Sequence, residues 1–127
     1  MAAQRAARYI DYDAVFERVI ARLPQLVQQI HRQREEASGL LAEIRSLPPE
    51  RRRRALEDPR FENPALVDLL LDASEAALRQ EPAEAEELAR LATALATRSE
   101  PTPDGLALIF ARAHSIAANA QRRRVQP

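Results

Sequence analysis

Two leucine- and alanine-rich segments, PALVDLLLDASEAALRQ (64–80) and PAEAEELARLATALATR (82–98), follow each other with only the Glu81-Pro82 step between them. In the first, Leu66, Leu70, Ala73 and Ala77 fall on one helical face, Val67, Leu71 and Leu78 lie beside it, and Leu69 widens the stripe. A helix apolar round so much of its circumference belongs in the middle of a structure. In the second, Ala85, Leu88, Ala92 and Leu95 form the stripe, flanked by Ala89, Leu91 and Ala96. Glu84, Glu86 and Glu87 stand near its start, where the helix dipole favours negative charge. Such a hairpin cannot bury its own apolar faces, so the rest of the chain has to cover it.

Nothing in the sequence offers a sheet instead. β-branched residues never cluster at period two, and two glycines in 127 residues leave almost no material for tight strand-pairing turns. Apolar residues make up 46% of the chain and charged residues 30%, a balance that folds rather than one that stays disordered. Aromatics are only 4% and Trp is absent, so the core has to be built from Leu, Ile, Val and Ala. The fold class is all-α, in one domain.

Residues 1–8 are small and basic and are expected to fray. From Tyr9 a seven-residue spacing begins: Tyr9, Phe16, Leu23, Ile30, Ala37 and Ile44, and in parallel Tyr12, Val19, Leu26, Gln33, Leu40 and Leu47. Ile20, Val27 and Leu41 widen this heptad stripe. Pro24 lacks an N–H and its ring presses on the carbonyl four residues back, yet the stripe keeps its phase across it. The spacing predicts one long helix over 9–47, kinked near Pro24, in preference to two separate helices split there. Ala37 and Gln33 weaken a two-chain coiled coil and Gly39 costs about 1 kcal/mol of helix stability, so packing on the chain's own hairpin is favoured.

Leu47-Pro48-Pro49 ends that helix, and a short one over 49–57 follows, carrying Arg51, Arg52, Arg53 and Arg54. A connector runs from Asp58 to Asn63, with Phe61 expected to plug the joint and Asn63 to cap the helix that opens on Pro64. The stretch from Ser99 to Gly105 is a loop by composition. The last helix is expected over 104–122, burying Leu106, Ile109, Phe110, Ala113, Ala117 and Ala120, with Leu108 and Ile116 beside them, before a flexible basic tail over 122–127. With no following helix to cover it, its outer side is an expected contact surface. Leu108, Ile116 and Arg112, together with Arg51–Arg54, are the expected partner-binding residues.

The run from Pro48-Pro49-Glu50-Arg51-Arg52-Arg53 through Asp58-Pro59-Arg60-Phe61 and Leu69-Leu70-Leu71, then Ala85 to Ala96, resembles the N-terminal region of uncharacterised bacterial tetratricopeptide-repeat proteins. Ala113 to Ala120 resembles the first helix of a repeat, with His114 at the aromatic position, Ala117 at the leucine and Ala118 at the small residue. His114 departs from the usual Trp and Ala118 from the usual Gly, and no second repeat helix follows. Since a solenoid needs about three repeats, the resemblance implies the leading segment of such a scaffold, a truncated relative, or a stack completed by a partner. It implies protein–protein interaction and carries no catalytic residues.

Chemistry-bearing groups are sparse. The absence of cysteine excludes disulfides and thiolate sites. His31 and Glu35 sit four apart, as a solvated helix-face pair does, and His114 is expected to pack its ring at a helix joint. Asp68, Asp72 and Glu75 share a side of the central helix without a His, Lys or glycine-rich loop, the pattern of a wet face. An enzyme is not expected, nor a cofactor or metal. All 19 basic residues are arginine, and they balance 19 acids. The runs at Arg51–Arg54 and Arg122–Arg124 leave nucleic-acid binding as the alternative, although the zero net charge and the acidic hairpin do not favour it. No apolar run approaches a membrane span and no secretion signal opens the chain, so the cytoplasm is the expected location. A protein partner, self-association included, is the expected ligand.

Overall fold

In a computed structural model of the chain, residues 11–125 are described, and every regular element among them is helical. The helices are α1 (Tyr12–Ser46), α2 (Pro49–Ala55), α3 (Pro64–Ala77), α4 (Pro82–Ser99) and α5 (Pro103–Val125), with a 3₁₀ turn at Pro59–Phe61 between α2 and α3. The all-α expectation holds. The chain forms two compact units, Met1–Arg32 and Gln33–Pro127, with the boundary inside α1. Burial gives the physical reason: among the described residues, buried side chains begin at Ala37.

In the first unit the described residues form the start of α1. Asp11 caps it, its Oδ1 accepting from the Ala14 N–H at 3.2 Å. The frayed stretch 1–8 and the expected start at Tyr9 lie outside the described residues. Pro24 lies within α1 and does not end it. The heptad side chains Tyr12, Phe16, Val19, Leu23, Leu26 and Ile30 are each 46–74% exposed.

In the second unit the stripe behaves as expected, with Ala37 and Ile44 fully buried in the core. The last turn of α1 tightens, Leu47 N–H bonding to Ile44 C=O at 3.1 Å, and Pro48 prevents continuation. Pro49 opens α2, which stops at Ala55, two residues short of the expected end. Phe61 is 1% exposed and closes the joint, with the Arg60 guanidinium 4.4 Å above its ring centre. Asn63 caps α3 as expected, Oδ1 accepting from Ala65 N–H at 2.9 Å. Its Nδ2 also donates to the Gln33 carbonyl at 3.0 Å, fastening α3 to α1.

The hairpin of α3 and α4 is the centre of this unit. Leu66, Leu70, Leu88 and Leu95 are wholly buried, each contributing about 1.5–3 kcal/mol of hydrophobic stabilisation. Ser74, also buried, donates to the Ala85 carbonyl at 2.5 Å, which needs the two backbones close together. Ala85, Ala89, Ala92 and Ala96 give α4 a side without bulk, so neighbouring helices approach it closely. The end of α3 falls at Ala77 rather than 80, in a final turn drawn in by Leu78 N–H to Glu75 C=O.

The last helix departs from expectation at both ends. It begins at Pro103, because Thr102 acts as its cap: Thr102 Oγ1 accepts from Gly105 N–H at 3.1 Å, and Pro103 sits where no donor is needed. It continues through Val125, so Arg122–Arg124 are helical and not a flexible tail; the last two residues lie outside the described chain. Ala113, Ile116 and Ala120 are its buried residues, with Leu106 and Ile109 partly buried on the same side. Phe110 is 40% exposed, contrary to expectation.

Candidate functional site

The buried side of α5 repeats at three- and four-residue steps through Leu106, Ile109, Ala113, Ile116 and Ala120. Phe110, His114 and Ala117 stand one step round the helix from it. Facing them on α4 are Ala89, Arg90 and Thr93. Between the two sets lies an open groove of about 530 Å³ with a mostly apolar lining. Ala89 and Ala113 form its floor, Phe110 and His114 its wall, and Arg90 its charged rim. Alanine makes the groove: where one helix offers only a methyl group, the neighbouring ring has no side chain to meet.

A buried carboxylate fixes the two helices that form it. The Glu86 side chain, on α4, is only 5% exposed. It accepts from Arg124 Nη1 at 2.9 Å, from Gln121 Nε2 at 3.4 Å and from Arg90 Nη2 four residues on. Burial opposes its ionisation, but the hydrogen bonds from Gln121 and Arg124 and the charges of Arg90 and Arg124 prevail. The carboxyl is held below its ordinary value. On the other flank, Arg112 donates to Glu75 at 2.7 Å and to Asp72 at 2.8 Å, tying α5 to α3 and raising its own pKa further.

The sequence-expected partner residues are scattered by the fold. Ile116 is buried at 4% exposure and cannot serve as a contact surface. Its position on the three-four repeat with Ala113 and Ala120 turns it into the core. Arg112 is committed to Asp72 and Glu75, and those two acids are thereby its ion-pair partners. Leu108 is 73% exposed, on the side of α5 away from the buried repeat and outside the groove. Arg52 is buried and fully engaged: its guanidinium donates to Leu47 and Arg45 carbonyls at 3.1 and 3.2 Å, and to Glu84 and Glu87 at 2.9 and 3.2 Å. Arg51, Arg53 and Arg54 are exposed.

His114, expected to pack in a joint, is exposed on the groove wall. Sequence reasoning placed Phe110 and Ala117 on the buried face and did not pair them with Ala89 and Thr93. A usable signal was present in the Phe110, His114, Ala117 spacing, one ridge of a helix, but its facing partner on α4 is a tertiary fact. Among the described residues there is no group of three or more His, Asp or Glu placed to hold a metal ion. No helix among them is long and apolar enough to cross a membrane.

No protein family matches this chain, and no curated protein or solved structure does either.

Proposed function

We propose that the chain is a non-enzymatic protein-interaction module, akin to the leading segment of a tetratricopeptide-type scaffold. The observation that carries this reading is the open, mostly apolar groove between α4 and α5. Its size and lining suit one large apolar side chain from a partner segment, with an acidic group beside it to meet Arg90. Hairpin packing of α3 on α4, and of α5 on α4 through alanine faces, supports kinship with a repeat stack, in which small residues bring successive helices close. A bend of α1 at Pro24 belongs to the same reading, since the proline leaves the Ile20 carbonyl without its helical donor.

Selection from a displayed library of helical peptides tests the module directly. Selected peptides are expected to share a large apolar residue flanked by Asp or Glu, and to lose binding to the Ala117→Glu protein. Peptides that bind both proteins equally, or a selection that yields none, would overturn the reading.

Nucleic-acid binding through the arginine runs is the lesser alternative, because Arg52 and Arg124 are occupied by Glu84, Glu87 and Glu86. It predicts salt-sensitive binding that falls when Arg51, Arg53 and Arg54 are neutralised.

A further inference from the structure

Large exposed apolar side chains are not scattered over this protein. Apart from Leu108, Phe110 and Val125, all of those described lie on α1 between Tyr12 and Ile30. Phe16, Leu23 and Ile30 repeat at one heptad position and Tyr12, Val19 and Leu26 at the other, with Ile20 and Val27 alongside. Pro24 sits at a position outside this seam, so its ring would take no room in an interface.

We propose that residues 12–30 of α1 pair with the same segment of a second copy of the chain as an antiparallel two-helix coiled coil. Three observations select that occupant. First, the spacing is the seven-residue period of a supercoiled seam, and a partner helix must carry the same period to mesh with it. The second copy carries it by construction. Second, the exposed apolar side chains amount to on the order of 800 Å² per copy, about what each partner of a stable interface buries.

Third, the charges along the segment are polar in sequence. Asp11, Asp13 and Glu17 come first, and Arg18, Arg22 and Arg32 follow with no acid among residues 18–32. An antiparallel pair sets Asp11 of each helix beside Arg32 of the other, whereas a parallel pair would set acid beside acid. In that orientation Phe16 faces Leu26 of the second copy, Leu23 faces Val19, and Ile30 faces Tyr12. Each layer thus combines a larger with a smaller or differently shaped side chain, and the two-fold axis repeats all three layers. This interface is independent of the α4–α5 groove.

The test is the mass of the full chain by light scattering over a range of concentrations. The parent protein is expected to run as two chains. Leu23→Glu with Leu26→Glu should stay a single chain, weakening association about a hundredfold or more, because two charges per copy would be buried unpaired. The milder Leu26→Ser, which adds no charge, should weaken it about tenfold. Because the natural chain has no cysteine, orientation follows from two single variants, Tyr12→Cys and Ile30→Cys. Mixed and oxidised, they should form a disulfide between unlike copies. A single-chain mass for the parent at sub-millimolar concentration overturns the proposal. So does a dimer that survives both Leu variants but is dissolved by Ala117→Glu, or cross-linking only between like variants, which is the parallel arrangement.

Discussion

Arginine carries the tertiary contacts of this chain one side chain at a time. Arg52 satisfies two carbonyls at the end of α1 through Nε and Nη2 while its Nη1 reaches Glu84 and Glu87 at the start of α4. Arg98 does the same for the Leu56 and Glu57 carbonyls after α2, and Arg60 links Asp58 to Glu43. A planar fork with five donors serves several acceptors at once, which a lysine ammonium cannot do in that geometry. The all-arginine composition thus has a structural use at these positions. Arg52→Ala should destabilise the protein by about 3 kcal/mol, since it leaves two part-buried carbonyls and two part-buried carboxylates without their donor; Arg52→Lys should recover only part of that in urea unfolding. Gly39, by contrast, is exposed mid-helix with nothing within 4 Å of where a Cβ would stand. Gly39→Ala should therefore raise stability by about 0.5–1 kcal/mol, read as a higher urea midpoint at unchanged slope.

Among the elements, α4 is the one whose sequence leaves least latitude. Its alanines are buried between α3 and α5, and their small size both draws the helices together and leaves the groove open. Ala92→Leu should force them apart and cost about 1–3 kcal/mol, visible in a lowered melting temperature. The termini of the helices were legible where a local rule acts alone: Asn63-Pro64 at the start of α3, Pro48-Pro49 at the end of α1, Phe61 in the joint. They were misread where side-chain partners decide. Thr102-Pro103 reads as loop by composition until the Thr102 hydroxyl is seen to cap Gly105. Arg122–Arg124 read as a tail until Arg124 is seen to bond Glu86, holding the last turn in helix.

For the molecule as a whole, acid response follows from three glutamates. Hydrogen bonding by Arg60 holds Glu43 below the ordinary value of 4.5, and Glu86 is held below it by its arginine and glutamine partners against the opposing effect of burial. A carboxyl with a depressed folded pKa contributes stability that is present above the unfolded value and lost as pH falls through the folded one. Burial raises Glu87 despite Arg52, with Glu84 and Glu50 adding to the rise, so its ionisation opposes folding at neutral pH. Stability should accordingly rise slightly as pH drops through the raised value of Glu87, then fall as pH drops through the lowered values of Glu86 and Glu43. Urea midpoints against pH should show this shape; Glu87→Gln should remove the rise, and Glu86→Gln should shallow the acid fall.

The sequence by itself determined the all-α class, the central leucine- and alanine-rich hairpin, the helix breaks at proline and the heptad stripe. Each of these follows from local propensity or from periodicity along one segment, which residues close in sequence specify together. Only the tertiary structure decided which half of the stripe is buried, where Ile116 and Phe110 point, and that Ala89 faces Phe110 across a groove. Those outcomes depend on pairs of residues far apart in the chain. An amphipathic pattern fixes a face but not what covers it. For the hairpin the cover is α5 and the end of α1; for the stripe from Tyr12 to Ile30 the face is exposed, and the second copy is the occupant proposed for it.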